Sequence, residues 1–319
     1  MIEILTNGAL NSVQDLGRTG YLNIGVSNGG AMDIPALTIG NLLLGNPPDF
    51  AGLEVVLFPF RIKILADCRL ALTGADCSAD LDERIVAPGW VVNAKAGQTL
   101  TLRPPRRGAR CYITFAGGID VEPVMGSRST DLKTGFGGFK GRALQRGDVI
   151  PVGGTAISHR AEFGSAMAVS YAERGGLVNV RVLPGAEFDA FDEQSRSSFF
   201  SQEWTITQDS NRTGMRLKGE PLSLSMPLEM LSHGILPGTI QVPPAGQPMI
   251  QLADANTSGG YPKIAHVIDA DFALLAQAPI GSRVRFNAVT QQQALTAQEE
   301  LDRQLKQIQN AVQLKYRYA

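Results

Sequence analysis

The sequence predicts a mainly β protein whose strands fall into two blocks, and three observations support this class. The chain carries 35 glycines and 18 prolines, residues that favour turns, and their number predicts many tight turns. Between these breaks lie short apolar runs at regular intervals, a pattern typical of barrels and sandwiches. A length of 319 residues is enough for two domains of ordinary size.

The first block opens on a short strand and a turn at Asn7-Gly8, and it contains one clear helix. Apolar residues at helical spacing predict this helix over 34–44, with Asp33 as its N-cap and Pro35 in its first turn. Gly45 is suited to end it. The strand-like runs that follow are LEVVLFPFRIKIL, RLALTGA, WVVNAKAGQTLTLRP and ARCYITFAGGIDV.

The strand pattern stops near residue 150 and resumes at LVNVRVLPG. We therefore expect an N-terminal domain over residues 1–155, a linker over 156–176 and a second β-rich domain over 177–290. One helix is predicted near 187–200. The tail, 291–319, is predicted to be helical because apolar residues recur there at helical spacing, namely Leu295, Leu301, Leu305, Ile308 and Val312.

Composition excludes several classes of function. The net charge is −1 with no long run of one sign, so neither a nucleic acid nor a membrane surface is an expected partner. No apolar run reaches the length of a membrane span, and the N-terminus lacks the features of a secretory signal. Three scattered cysteines (Cys68, Cys77, Cys111) favour reduced thiols in a cytoplasmic protein over disulfides or a zinc site. No metal site is expected from the three histidines.

Familiar catalytic and nucleotide motifs are missing or out of context. There is no GxxxxGK[ST] loop, and GFGGFKG at 135–141 does not sit between a strand and a helix of a βαβ unit. GVSNG at 25–29 matches the GxSxG pattern in letters. A nucleophile elbow needs an α/β sheet, however, and the surrounding sequence predicts an all-β fold.

The stretch GTIQVPPAGQPMIQLADANTSGGYPKIAHV, 238–267, is the strongest candidate for a functional site. Its polar loop is longer and more varied than a hairpin turn needs. Lys263, Asp254 and Gln241 are the candidate catalytic residues: Lys263 supplies a cation, and Asp254 can orient water or ligate magnesium. The accompanying candidates for binding substrate are Thr257, Gly259, Gly260 and Tyr261. His266 is interpreted as a wall residue.

Two further loops carry candidate anion-binding residues. In DSNRTGMRLKG, Asn211 precedes Arg212 and Arg216, whose guanidinium groups are suited to hold a carboxylate or phosphate; solvated strand charges are the alternative. In the N-terminal block the candidates are Gln14, Arg18, Ser127 and Arg128. There the alternatives are a structural Asp15–Arg18 turn and, slightly favoured for residues 125–132, a helix N-cap involving Asp131.

These motifs together resemble the family of the C subunit of bacterial 5-oxoprolinase, also labelled allophanate hydrolase subunit 2 or biotin-dependent carboxyltransferase-like. The resemblance runs from residue 13 to 286. The matching pieces are VQDLGRTGY, GVSNGGAMD, GNLLLGN, LALTGAD, AGGIDVEPVMGSRSTDL, RALQRGDVI, VRVLPGAEFDAF, SNRTGMRL and the stretch 238–267 with the following isoleucine. One departure is notable: where the family has SNRMGYRL, residues 210–217 read SNRTGMRL and lack the family's Tyr. If that Tyr lines the pocket, the substrate would differ.

The resemblance implies two cyclophilin-like β-barrel domains and an ATP-dependent hydrolase, active only in a complex, that converts 5-oxo-L-proline to L-glutamate. It implies direct binding to a B subunit, work alongside an A subunit, ATP as a co-substrate and magnesium as a candidate companion ion. Two alternatives stay open. One is the carboxyltransferase subunit of a urea-carboxylase system, which would need a separate biotin carrier because this chain has no Ala-Met-Lys-Met site. The other is a non-enzymatic regulator that binds a partner similar to a kinase inhibitor.

Overall fold

The computed structural model describes residues 1–154, 161–166 and 171–317. The chain divides into two compact units. The first contains residues 1–18, 29–171 and 302–319, and the second contains 19–28 and 172–301. In the described residues no helix is both long and apolar enough to cross a membrane.

The first unit is built from two six-stranded sheets, with strand orders β11-β1-β4-β9-β6-β7 and β12-β8-β5-β10-β3-β2. Its described strands are β1 (Ile2–Ile4), β2 (Ser12–Gln14), β3 (Gly52–Val55), β4 (Phe60–Ile64), β5 (Cys68–Asp76), β6 (Ala79–Leu81), β7 (Arg84–Val86), β8 (Trp90–Ala94), β9 (Thr99–Leu102), β10 (Arg107–Phe115), β11 (Val149–Ile150) and β12 (Phe163–Gly164). Strand β4 shows the alternation of buried and exposed residues expected when one face meets a core.

Helix α1 spans Ile34–Leu44, as the sequence predicts. The Asp33 carboxylate accepts a hydrogen bond from the backbone N–H of Ala36, and Gly45 ends the helix in the left-handed conformation at φ 76°. The helix lies on β5, where the Thr73 hydroxyl donates to the carbonyl of Ala36. Strand β5 is therefore covered on both faces and buried along almost its whole length.

The second unit is a closed barrel with strand order β13-β20-β17-β18-β15-β14-β21. It closes through a parallel ladder between the first and last of these strands. The strands of this unit are β13 (Leu177–Pro184), β14 (Trp204–Ile206), β15 (Gly214–Lys218), β16 (His233–Gly234), β17 (Thr239–Gln241), β18 (Met249–Gln251), β19 (Ser258–Gly259), β20 (Lys263–Val267) and β21 (Arg283–Ala288). Strands β16 and β19 form a separate two-stranded sheet.

Alternation along the barrel strands separates core from surface. On β13, Val178, Val180 and Val182 are buried whereas Asn179 is exposed. Two short helices accompany the barrel, α2 (Glu193–Ser201) and α3 (Phe272–Ala276), and three 3₁₀ turns occur at Leu22–Ile24, Phe188–Ala190 and Asp269–Asp271. The helix predicted near 187–200 thus appears as a 3₁₀ turn followed by α2.

Helix α4 spans Gln291–Arg317, so the prediction of a C-terminal helix is confirmed. Within the first unit its later part packs on α1: Val312, Leu305 and Ile308 join a cluster with Ile39 and Leu43. The helix is otherwise largely exposed and polar, so its sequence contains only a few apolar residues, which recur at helical spacing.

The mainly β class, the barrel of the second unit and the helices α1, α2 and α4 agree with the sequence prediction, whereas α3 was not predicted. In the first unit the strands form two sheets, where a barrel was expected. The predicted linker, 156–176, lies in part outside the described residues, and its described part includes strand β12. The compact units also differ from a simple cut at the linker, because 19–28 groups with the second unit and 302–319 with the first.

Candidate functional site

Three of the predicted site residues fall in one row across four adjacent barrel strands. Arg216 on β15 is opposite Met249 on β18, Met249 is opposite Gln241 on β17, and Gln241 is opposite Lys263 on β20. Three inter-strand steps of about 4.8 Å separate the ends of the row by roughly 14 Å along the sheet. The row lies outside the barrel core, because Ile240 and Ile250, the neighbours of Gln241 and Met249, are both completely buried.

The small sheet of β16 and β19 lies beside this row. His233 pairs with Gly259 and Gly234 with Ser258, while the backbone N–H of Ile235 donates to the carbonyl of Thr257. A Cβ atom at Gly259 would lie 2.8 Å from Nε2 of Gln241, so a larger residue here would displace the end of the Gln241 side chain. The predicted polar loop therefore meets the strand residue Gln241.

Lys263 is the centre of a cluster that joins three distant segments. Its Nζ lies 2.9 Å from Oε2 of Glu187 and within hydrogen-bond distance of Nε2 of His233. The backbone N–H of Lys263 also donates to Oε2 of Glu187, at 2.9 Å. The side chains of Lys263 and Glu187 are 17% and 18% exposed, so the ion pair is shielded but still open to one side.

The tautomer of His233 follows from its second contact. Its Nδ1 lies 3.0 Å from the carbonyl oxygen of Leu231. A carbonyl oxygen can only accept, so Nδ1 carries the proton and Nε2 is the acceptor for the Lys263 amine. The resulting chain of donors and acceptors runs from the Leu231 carbonyl through His233 and Lys263 to Glu187.

Two buried amides continue the site on the other side of Gln241. Nε2 of Gln251 donates to Oε1 of Gln241 at 2.9 Å, and Nε2 of Gln241 donates to the carbonyl of Tyr261 at 3.3 Å. Oε1 of Gln251 is buried without a hydrogen-bond partner. Tyr261 itself is 44% exposed, which places its ring at the rim of the site.

Asp254, predicted to be catalytic, and Arg212, predicted to bind an anion, bind each other. Nε and Nη2 of Arg212 lie 2.7 and 2.9 Å from the two carboxylate oxygens of Asp254, and both side chains are buried. Both carboxylate oxygens of Asp254 are therefore engaged, which disfavours it as a ligand for magnesium. Among the described residues no group of three or more His, Cys, Asp or Glu side chains could hold a metal. Asn211 forms a turn, its Oδ1 accepting from Thr213 and Gly214.

Arg216 is exposed, in contrast to Arg212. Its side chain lines a surface cavity of about 340 Å³ together with Lys218, Asp209 and Thr207. Met249 belongs to this cavity and also to the row that leads to Lys263. Of the two predicted arginines, Arg216 is thus the one whose guanidinium faces solvent.

Burial lowers the pKa of His266, and the charge of Asp269 opposes this shift. His266 lies on β20 beside Thr239, with 3.4 Å between its Nδ1 and the threonine hydroxyl. A backbone-lined, half-buried imidazole of this kind fits the predicted wall residue.

The N-terminal candidates form a separate cluster in the first unit. The Asp15 carboxylate accepts from the hydroxyls of Ser127 and Ser129 and from the backbone N–H groups of Gly17 and Arg128. Arg18 donates to the carbonyl of Ser129 and lies 4.7 Å from the ring centroid of Phe136.

The remaining N-terminal candidates are engaged as well. Nε of Arg128 donates to the carbonyl of Val121, and Nε2 of Gln14 donates to Ser12 and to the carbonyl of Thr130. No helix begins at 125–132, so the favoured N-cap interpretation was wrong. Asp131 instead closes a turn by accepting from the N–H groups of Lys133 and Thr134, because its short side chain bonds locally whether or not a helix follows.

Glu187 and His233 were not predicted as site residues. They lie 76 and 30 positions before Lys263 in the chain, and no local spacing links them to it. Beside His233 the loop exposes four large apolar side chains, Met226 (75%), Leu228 (42%), Leu231 (90%) and Leu236 (55%), which we term the apolar strip. The only sequence signal for this strip is the run of apolar residues in SMPLEMLSHGIL.

Comparison with known proteins places this chain in a family. The model of the carboxyltransferase domain, subdomain A and B, matches residues 24–288, and the chain belongs to that family. The crystal structure of the Kluyveromyces lactis urea carboxylase superposes with a TM-score of 0.88 at 27% identity, covering 96% of this chain and 29% of that one.

Two relatives are similar over nearly their whole length. The C subunit of 5-oxoprolinase from Escherichia coli is 44% identical over 308 residues, which is 97% of each chain. That of Haemophilus influenzae is 41% identical over 315 residues, or 98% of this chain and 99% of that one. More narrowly, the chain belongs to the family of 5-oxoprolinase C subunits.

Proposed function

We propose that this chain is the C subunit of a 5-oxoprolinase that converts 5-oxo-L-proline to L-glutamate at the expense of ATP, together with A and B subunits in the cytoplasm. The observation that carries the proposal is the 44% identity to a protein of that name over 97% of both chains. A role as one subunit of a hydrolase complex follows from the names of both relatives.

The reaction needs an activated amide. A lactam carbonyl is a poor electrophile because its nitrogen shares its lone pair with the carbonyl. Phosphoryl transfer from ATP to the lactam oxygen gives an imidate-like ester whose ring carbon water can attack. The ring C–N bond then breaks, its nitrogen takes a proton, and a second water releases inorganic phosphate from the acyl phosphate to give glutamate.

The Lys263 cluster supplies the type of group that this chemistry requires. An ammonium of fixed position stabilises negative charge that develops on the phosphoryl and carbonyl oxygens. Next to Gly259, which pairs with His233 in the small sheet, the backbone N–H of Gly260 can add a hydrogen bond to the same oxygens. At the other end of the row, Arg216 offers an exposed guanidinium fork that is suited to a carboxylate. The backbones of Arg216 and Lys263 are roughly 14 Å apart, so the long Arg216 side chain has to extend along the row toward Lys263 to hold the carboxylate of so small a substrate.

ATP enters the proposal as a co-substrate of the complex. The sequence holds no P-loop, and the carboxylate that the sequence offered to magnesium, Asp254, is engaged by Arg212. We therefore assign the nucleotide phosphates and any magnesium chiefly to a partner subunit.

The partner subunit is proposed to approach at the loop 254–263. The apolar strip lies on the segment that pairs with this loop, and exposed apolar patches of this kind are typical of protein interfaces. The rim residue Tyr261 is also of a type enriched at interfaces. A B subunit that covers the strip would close the open side of the Lys263 cluster and exclude water from it.

A second candidate is the carboxyltransferase subunit of a urea-carboxylase system. The superposition on the Kluyveromyces lactis urea carboxylase favours it, although that chain is more than three times as long as the part matched. Its substrates would be a carboxylated biotin carrier and urea, and the transfer of the carboxyl group between them does not consume ATP.

One reconstitution separates the candidates. The purified chain alone should show negligible turnover, and addition of A and B subunits should give glutamate release that depends on both ATP and 5-oxoproline. Robust glutamate release by the single chain would contradict the need for partners. Absence of release with all three subunits, together with carboxyl transfer from a biotin carrier to urea, would establish the second candidate.

A further inference from the structure

The unassigned element closest to the proposed site is the imidazole of His233. It lies on β16, outside the barrel, and reaches Lys263 from a loop that carries no other candidate residue. Its Nδ1 is held by the Leu231 carbonyl, so the ring is oriented by the backbone before any substrate binds. An imidazole held in this way presents one lone pair in a fixed direction.

The charges around Lys263 indicate the role of the Nε2 lone pair of His233, which is to accept a hydrogen bond from the ammonium without adding charge. A lysine ammonium has three N–H donors. Glu187 accepts one of them and neutralises the charge, and His233 accepts another without adding a second negative charge. One N–H is left for a substrate oxygen. A second carboxylate in place of His233 would make the cluster anionic and would repel a phosphoryl group or a carboxylate.

We propose that His233 is a positioning residue that fixes the direction of the Lys263 ammonium through a neutral acceptor at Nε2. This inference rests on the proposed function, since it acts through the charge-stabilising role of Lys263. The residue pairs with Gly259 in the two-stranded sheet, so the same loop contact that shields the site also sets the position of the imidazole.

The position predicts a characteristic response to substitution. His233→Leu removes the acceptor, lets the ammonium reorient and leaves an apolar group against it. His233→Gln keeps an acceptor, because the amide oxygen of glutamine can occupy the place of Nε2. Loss of a residue that orients a working group typically lowers activity about tenfold to a hundredfold, as known best from metal sites.

The test uses the reconstituted complex of full-length subunits. We expect His233→Leu to lower kcat about tenfold to a hundredfold with little change in KM for 5-oxoproline, and His233→Gln to restore kcat to within about threefold of the unmodified protein. In a Lys263→Met background, His233→Leu should cause no further loss, because a residue that acts through another adds nothing once that residue is gone.

A second measurement does not depend on activity. With three histidines in the chain, nitrogen-15 NMR of the isolated protein can assign each ring by substitution. The signal lost in His233→Gln should show its proton on Nδ1. A proton on Nε2 would overturn the proposal, since that nitrogen could not then accept from Lys263.

The outcomes separate this inference from the function on which it rests. If Lys263→Met keeps full turnover, the role of Lys263 fails and His233 has nothing to position. If Lys263→Met is inactive while His233→Leu keeps full kcat, only the present inference is overturned. Equal losses for His233→Gln and His233→Leu, accompanied by a lower melting temperature, would likewise overturn it in favour of a structural role.

Discussion

Two polar clusters of this chain lie at loops of similar composition but differ in how far their hydrogen-bonding capacity is used. In the first unit, the buried Asp15 carboxylate accepts from two hydroxyls and two backbone N–H groups. In the second unit, Lys263 has two acceptors, Glu187 and His233, and remains partly exposed. The first cluster holds two loops together, whereas the second retains a cationic donor for a ligand.

The comparison shows what a polar loop pattern can and cannot predict. Both loops contain Gly, hydroxyl residues and a cation, and both were candidates for binding an anion. An anion at the first cluster would have to compete with a carboxylate that already holds the donors, which disfavours that site. At the second cluster the donor is a cation whose counter-charge comes from a single carboxylate.

The largest expected effect concerns the first cluster. Asp15→Ala would leave the buried hydroxyls of Ser127 and Ser129 and two backbone donors without their acceptor, so we expect the free energy of unfolding to fall by about 3 kcal/mol or more. Chemical denaturation of the isolated chain measures this. Asp49→Ala, at an exposed turn, is the matched control and should stay within about 0.5 kcal/mol. An Asp15→Ala protein of unchanged stability that loses only activity would reverse our interpretation of the two clusters.

The second cluster should respond in the opposite way. Lys263→Met removes the donor but leaves an apolar chain of similar length. Unlike the deeply buried Asp254, Glu187 is partly exposed and keeps the backbone N–H of residue 263 as a donor, so the melting curve should change little while turnover of the reconstituted complex falls on the order of a hundredfold or more. Lys63→Met, at an exposed position of β4, is the control and should be fully active. A folded Lys263→Met protein with full turnover would show that the loop 254–263 has no catalytic part.

Features set by neighbouring residues could be predicted from the sequence, whereas features set by contacts between distant segments could not. Helix α1 could be predicted to the residue because Asp33, Pro35 and Gly45 mark its ends within the segment itself. Closure of the barrel depends on a parallel ladder between β13 and β21, about a hundred residues apart, for which no sequence pattern exists.

The same limit applies to the site. Gln241 and Lys263 were predicted together because they belong to one stretch, whereas Glu187 and His233 reach Lys263 only through the tertiary fold. The Arg212–Asp254 pair spans 42 positions, so the sequence predicted an anion-binding arginine and a catalytic carboxylate without showing that they bind each other.

That pair sharpens the prediction for the anion clamp. Arg212→Met would leave the Asp254 carboxylate buried and unpaired, so its main effect should be on stability. Arg216→Met should instead leave the fold intact and raise KM for 5-oxoproline, because loss of a charge-assisted contact costs roughly 1.5–3 kcal/mol. Steady-state kinetics of the complex measure KM for each variant and show which arginine binds the substrate. Arg216→Lys keeps the positive charge but not the guanidinium fork, so it separates the two contributions. An unchanged KM in Arg216→Met would place the clamp elsewhere.

The smallest effect should be the pH dependence contributed by His266 in the second unit. Burial lowers the pKa of His266 in the folded chain, whereas in the unfolded chain it should be near 6.5. As the pH falls below about 6.5 the unfolded chain therefore binds the proton first, and stability decreases until the folded pKa is reached, by at most about 1.4 kcal/mol per pH unit. His266→Asn, which can still contact Thr239, should be less sensitive to acid across this window. Denaturation at a series of pH values from 8 to 5 measures the free energy of unfolding of both proteins. If the two free energies change equally with pH, the imidazole binds protons as readily in the folded chain as in the unfolded chain.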